Sequence, residues 1–295
     1  MARKSLPAAA LARFPRRPAG PVLPGAPRKP RPPEEAPRPA SGTLPQVPPE
    51  AAGEPEALLA TARAYQDLGD WQGVADALTA FLAPGSGAPG LGPAGAAPPE
   101  PWVLHLLAEA LWRLRRRREA IPWALRSADL ALASGRYPEA FAGLRLALHG
   151  CLLEGEAEAA RCLGQMESIL PYLGGSGGQP AAALAADQAW SLLLAGRYPE
   201  AVDRARAALG HPAAGPQVRA QSLWVLAETA FRVGAGAAAV SLHAAAHAVA
   251  LEAGWDLGLR LCADLAARLA DSLGHRAGPG GGVPSSTRPP GHHPG

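Results

Sequence analysis

The sequence predicts an all-α protein built from antiparallel helix hairpins, because three of its features agree on that class. Between residues 54 and 274, apolar residues recur at intervals of three and four, which is the period of an amphipathic helix. No stretch alternates Val, Ile, Thr or Tyr between turn signals, as a β-strand does. The hexamer GRYPEA occurs at 135–140 and again at 196–201, which indicates a repeated structural joint.

The two ends of the chain differ in composition from its centre. Residues 1–53 hold nine Lys and Arg against three Glu and are rich in Pro, and residues 275–295 are rich in Pro and Gly. We expect both ends to be disordered tails, since such segments bury too little apolar surface to fold. The body at 54–274 carries 17 Arg against 22 Asp and Glu, so the tails supply the formal charge of +3.

The body is predicted to contain eleven helices joined mostly by short connections, which is the pattern of antiparallel hairpins. We expect them at 54–68, 71–83, 101–115, 117–133, 137–150, 155–171, 181–195, 198–210, 216–233, 236–253 and 255–274. Two longer interruptions, at 84–101 and 174–180, are rich in Gly, Pro and Ser. The first is long enough to act as a flexible linker after the opening hairpin.

The repeated hexamer is interpreted as the joint between two helices. In its second copy an apolar helix ends at Gly196, Pro199 falls in the first turn of the next helix, and Ala201 is small where the helices touch. The same ending role is predicted for Gly69, Gly135 and Gly234. In the last helix, a leucine stripe from Leu257 to Leu273 beside an alternating charged stripe predicts a terminal helix with one solvent-facing side.

These joints, with the apolar residues around them, resemble the tetratricopeptide repeat, whose unit is two helices in roughly 34 residues with Gly at the turn. The residues that carry the resemblance are Leu58, Ala62, Tyr65, Gly69 and Trp71; Leu104, Leu107, Ala108, Leu111 and Ala120; Gly135, Tyr137 and Ala140; Ala189, Leu192, Gly196, Tyr198 and Ala201; Leu223, Leu226, Ala227, Gly234 and Ala239. The resemblance covers about 54–274 and implies a right-handed α-solenoid of antiparallel helix hairpins. One unit, from Gly196 to Gly234, is longer at 38 residues, and such units are similar to those in the sensor and effector portions of bacterial transcription activators.

The resemblance also implies that the first helix of each hairpin lines a concave side. In those helices, the residues that lie about 100° around the helix axis from the core stripe are then expected to face a partner-binding groove. We call these residues the turned series. It contains Glu109 and Trp112, then Trp190, then Trp224, Glu228 and Phe231. Aromatic residues in a groove are typical binding anchors, and the glutamates favour a partner with Arg or Lys beside an apolar residue. The alternative is that the tryptophans fill gaps left in the core by the many alanines.

The leading functional hypothesis is a non-enzymatic protein–protein interaction module, a scaffold that binds a peptide or helix of another protein in this groove. The alternative is a regulatory sensor domain of a transcription-activator type of system that receives a small ligand or a partner. Binding of nucleic acid through the Arg-rich tail and Arg115–Arg118 is disfavoured because the body is acidic. The run RLRRRRE at 113–119 is interpreted as a solvated turn, with an acidic or nucleic-acid partner as the other interpretation.

The sequence gives little support for catalytic activity, metal binding or insertion into a membrane. GSGAPG at 85–90 and GGSGG at 174–178 match nucleotide-binding and nucleophile motifs in letters only, since no strand precedes them. His243 and His247 have a chelating spacing but lack the glutamate of HExxH. We therefore expect no enzyme activity, cofactor or metal, and no membrane span. Three cysteines without a CxxC pair fit a reducing compartment, so the prediction is a cytoplasmic protein.

Overall fold

The computed structural model describes residues 55–83, 99–155, 157–176 and 178–276 of the chain. These described ranges contain eleven α-helices and one short 3₁₀ segment, and no strand. The prediction of an all-α fold is therefore confirmed for this part of the chain. The predicted tail at 1–53, most of the tail at 275–295 and the greater part of the linker at 84–101 lie outside the described residues.

The helices follow one another along the chain with short connections. They are α1 (Pro55–Leu68), α2 (Trp71–Leu82), α3 (Pro101–Arg113), α4 (Arg117–Ala133), α5 (Tyr137–Glu154), α6 (Glu158–Ile169), α7 (Gly178–Leu194), α8 (Tyr198–Gly210), α9 (Pro216–Arg232), α10 (Gly236–Glu252) and α11 (Asp256–Arg276), with the 3₁₀ segment Leu170–Ser176 before α7. None of the described helices is both long and apolar enough to cross a lipid bilayer.

The chain forms two compact units, one ending at Asp187 and the other beginning at Gln188, so that the division falls within α7. In the first unit, each helix from α1 to α6 packs on the helix next to it in the chain. Helix α3 also contacts α5. In the second unit α9 is the central helix, because it packs on α8, α10 and α11. The coverage of α9 on several sides decides which of the predicted site residues reach solvent.

The helix joints are built as the hexamer predicts. Gly69, Gly135, Gly196 and Gly234 have φ between +69° and +82°, a left-handed conformation that glycine adopts without a steric penalty. The residue after each glycine donates its amide hydrogen to the carbonyl five residues earlier, as Arg197 does to Leu192 at 2.9 Å. This is the Schellman ending of a helix. The interpretation of GRYPEA as a joint is confirmed.

Several helix ends differ by a few residues from the predicted positions. The helix expected to stop at residue 150 continues to Glu154, and Gly155, with φ of +74°, ends it instead. Gly150 lies inside α5 because a Cβ there would stand 2.7 Å from a side-chain carbon of Ile121, so its small size serves close packing. The last helix runs to Arg276, two residues into the predicted tail. Its predicted apolar stripe is confirmed at Leu257, Leu265 and Leu269, which are buried.

Candidate functional site

Helix α3 presents one narrow solvent-facing stripe. From Val103 to Leu111 every residue of this helix is buried except two, and the half-exposed residues continue the same line at both of its ends. The stripe consists of Trp102, His105, Glu109 and Trp112. Spacings of three and four residues place them on one face of the helix. The predicted site residues Glu109 and Trp112 therefore do lie together on an accessible surface of the first unit.

Arginine side chains cover this α3 stripe. The guanidinium carbon of Arg63 lies 4.8 Å from the centre of the Trp102 ring, and that of Arg117 lies 5.7 Å from the Trp112 ring. Arg113 donates to a carboxylate oxygen of Glu109 at 2.8 Å. Such stacked guanidinium groups are attracted by the ring faces. Three arginine side chains therefore lie along the stripe, where the sequence led us to expect the negative charge of Glu109.

His105, in the middle of the stripe, contributes no positive charge near neutral pH. Burial lowers the pKa of His105, while the charges of Glu109 and Glu139 act in the opposite direction and are smaller. Its Nδ1 atom is buried and has no hydrogen-bond partner among the described residues. Because this imidazole is neutral, the positive charges along the described stripe come from the arginines that cover it.

In the second unit the predicted groove residues are mostly buried. Trp190 and Trp224 have exposed fractions of 1% and 5%, and their rings meet edge to face with centroids 5.4 Å apart. This pair favours the alternative that the tryptophans fill gaps among small residues. The indole Nε1 of Trp224 has no hydrogen-bond partner within the described residues. Phe231 is half-buried beneath the guanidinium of Arg268, at 5.3 Å.

Glu228 is the centre of a buried ion cluster rather than an accessible carboxylate. Its side chain is 1% exposed and accepts hydrogen bonds from Arg232 at 2.7 Å and from both terminal nitrogens of Arg268 at 2.7 and 2.9 Å. Burial acts to raise the pKa of Glu228, but the hydrogen bonds and charges of Arg268 and Arg232 together outweigh it, so the pKa is lowered. The cluster joins α9 to the terminal helix α11.

A pH dependence of stability follows from this cluster. Because the folded-state pKa of Glu228 lies below its unfolded value, its contribution is fully present above that value and is lost as the pH falls through the folded pKa. We expect Glu228→Gln to lower the free energy of unfolding by about 2 kcal/mol at neutral pH, and by progressively less in acid. Urea unfolding of the two proteins across the acidic range measures the difference. Glu252→Gln, on the exposed face of α10, is the control; a difference for Glu228→Gln that grows in acid contradicts the prediction.

The hairpin joints also carry a pattern that the sequence analysis missed. At three joints an Arg that follows the left-handed residue pairs with a Glu three positions later. These pairs are Arg116 with Glu119, Arg136 with Glu139 and Arg197 with Glu200. The RxxE spacing common to the three joints was the available signal. The pairs are exposed and contribute little stability, and their shared spacing places Arg116 of RLRRRRE at the position that Arg136 and Arg197 hold in GRYPEA.

The candidate metal ligands of α10 are held by other contacts. His243 Nε2 lies 2.9 Å from the backbone carbonyl oxygen of Cys262, and the ring centroids of His243 and His247 are 6.3 Å apart. Burial raises the pKa of the Cys262 thiol to about 11, which disfavours the thiolate that a metal requires. Among the described residues, no group of three His, Cys, Asp or Glu stands close enough to hold a metal ion.

Comparison with known proteins adds no name to this arrangement. No protein-family model matches the chain, and no curated protein matches it significantly. The likeness to tetratricopeptide repeats therefore rests on the joints and helix lengths of this chain alone.

Proposed function

We propose that this protein is a non-enzymatic protein–protein interaction module whose helix hairpins form a tetratricopeptide-like right-handed solenoid. The α3 stripe carries the proposal. Two partly buried tryptophans, which pack against the core on one side, stand on the accessible side of a helix that is otherwise buried, and each is covered by an arginine from another helix. Tryptophan and arginine are the residue types most enriched at the energetic centres of protein interfaces.

The stripe has a shape and stiffness suited to a peptide or a helix. Its residues span Trp102 to Trp112, and a helix rises about 1.5 Å per residue, so the stripe is roughly 15 Å long. The helix beneath it is fixed by a core that includes Leu104, Leu107 and Leu111. A rigid surface loses little conformational entropy when a partner binds. Glu109 and Trp112 are the predicted site residues to which the proposal assigns partner contact.

A test of the module removes the two tryptophan rings. We expect Trp102→Ala with Trp112→Ala, made in the full chain, to abolish capture of the partner that the wild-type protein retains, while the helical circular dichroism persists. Leu251→Ala is the matched control, because Leu251 is an exposed apolar residue of α10. Quantitative mass spectrometry of the captured proteins gives the measurement. Equal capture by the wild type, the double variant and the control contradicts the proposed role of the stripe.

One observation favours the alternative of a regulatory sensor. The buried indole Nε1 of Trp224 donates no hydrogen bond to a described residue, and a buried donor left unsatisfied costs about 1–3 kcal/mol. A small ligand with an acceptor atom would relieve that cost and stabilise the second unit. This alternative concerns α9, whereas the interaction module depends on α3.

A further inference from the structure

Five of the described helix joints combine a left-handed glycine with the same hydrogen bond, and one has arginine in that position. The shared geometry is a residue of positive φ followed by an amide that donates to the carbonyl five residues earlier. It occurs at Gly69, Gly135, Gly196, Gly234 and Gly254. In the joint between α3 and α4, Arg115 has φ of +64°, and the amide of Arg116 donates to the carbonyl of Leu111 at 2.8 Å. Arg115 therefore occupies the glycine position of the repeat.

Arginine at this position carries a steric cost that glycine does not. In the left-handed region the Cβ of an L-residue approaches its own carbonyl oxygen, and glycine avoids that contact. The hydrogen bonds of the joint are the same as elsewhere in the chain, so the arginine is not needed to make the turn. Strained residues of this kind are concentrated at binding sites, where the role of the side chain explains why the strained conformation is kept.

The charges around the turn single out the same side chain. Arg116 is paired with Glu119, and both Arg117 and Arg118 reach Glu154. Arg113 is paired with Glu109. The side chain of Arg115 is exposed and makes no hydrogen bond or ion pair with any described residue, although its backbone amide donates to the carbonyl of Trp112 at 3.0 Å. The three glutamates leave the five arginines from 113 to 118 with an excess of positive charge.

We infer that the turn between α3 and α4 binds a carboxylate-bearing segment of the partner protein through Arg115. The inference rests on the proposed function, because it names the chemistry of the partner that contacts the α3 stripe. Arg115 lies two residues after the end of α3 and three residues after Trp112. A guanidinium matches a carboxylate by two parallel hydrogen bonds. The partner is thus acidic, the reverse of the charge expected from the glutamates.

An acidic peptide fits this surface better than a nucleic acid does. The cationic area is one turn long, whereas the body around it carries 17 Arg against 22 Asp and Glu. A long polyphosphate would have to lie against that net negative charge, which opposes binding that depends on phosphate neutralisation. A short segment with a few carboxylates touches the turn alone.

The test uses Arg115→Gly in the full chain, with a fluorescent decamer of glutamate as the probe. Removal of the guanidinium is expected to weaken binding roughly fivefold at low salt. The same change restores glycine to a left-handed position, so it is expected to raise the melting temperature. Arg115→Lys should retain most of the binding, because the charge remains. Arg161→Gln, another exposed arginine, should change nothing.

Several results would overturn the inference. They are unchanged glutamate binding in Arg115→Gly, equal or stronger binding of a lysine decamer, and stronger binding of single-stranded DNA of equal charge. Partner capture that depends on Trp112 but not on Arg115 would also overturn it and would leave the interaction module standing. Capture that depends on neither residue removes both proposals, so the two failures are distinguishable.

Discussion

Replacing Trp190 and Trp224 together by alanine is expected to destroy the cooperative fold of the second unit. Each ring is buried, and truncation of a buried tryptophan costs about 3–5 kcal/mol. The two rings touch, so the losses are not strictly additive, but their sum approaches the whole stability of an ordinary domain. Circular dichroism and thermal melting of the double variant should show reduced helicity and no sharp transition.

Two further variants keep this prediction specific. Trp224→Phe retains an aromatic ring and removes the unsatisfied Nε1 donor, so we expect a much smaller loss of stability. Trp112→Ala removes a half-exposed ring of the first unit and should leave a cooperative transition. A double variant at Trp190 and Trp224 that melts close to the wild type would show that the rings are not core. It would restore them as candidates for the groove.

Asp187→Ala is expected to have the second largest effect, and it acts on the first unit. The Asp187 carboxylate is fully buried and accepts hydrogen bonds from Arg145 at 3.0 Å and from His149 at 2.9 Å. These contacts join α7 to α5. Its removal leaves two largely buried basic side chains without this acceptor, which costs roughly 3–5 kcal/mol. Urea unfolding of the full chain gives the measurement.

Asp129→Ala provides the matched control for that experiment. Asp129 is about half exposed and faces Arg161 at 3.6 Å, so its loss should change the free energy of unfolding by less than about 0.5 kcal/mol. Asp187→Asn should fall between the two, because the amide keeps one acceptor oxygen. A stability of Asp187→Ala equal to that of Asp129→Ala would show that the buried cluster contributes nothing to the fold.

The helices and their joints could be predicted from sequence because their signals are local. Gly69, Gly135, Gly196 and Gly234 mark their joints by a requirement of the backbone itself. Gly150 misled the prediction for a non-local reason. It faces the Ile121 side chain on the neighbouring helix, and the sequence alone does not distinguish a glycine that ends a helix from one that lets two helices approach.

The accessible surface could be predicted for α3 but not for α9. The turned series in α3 contains Glu109 and Trp112, which are partly buried, since α3 leaves one stripe uncovered. The same series in α9 selected Trp224 and Glu228, whose side chains are buried. The ion partner of Glu228 lies 40 residues away, at Arg268 of the terminal helix. Helix periodicity gives the direction of a side chain but not what a distant helix places against it.

The proposed partner charge differs from the expected one because of contacts that the sequence does not show. Glu109 was expected to offer a negative charge to a basic partner, whereas Arg113, one helical turn further on, already neutralises it. The fivefold arginine run was interpreted as a solvated turn, and four of its members are indeed paired with glutamates. Arg115 differs from these neighbours in its left-handed backbone and because its side chain makes no ion pair with a described residue.

A photo-cross-linking residue placed at Trp112 in the full chain tests the central claim most directly, because it reports on proteins that touch the α3 stripe. We expect a discrete covalent adduct with another protein after irradiation in cells. The same residue at Leu251, an exposed position of α10, should give no such adduct. Identical adducts from both positions, or none from Trp112 when the protein is folded, would contradict a binding role for the stripe.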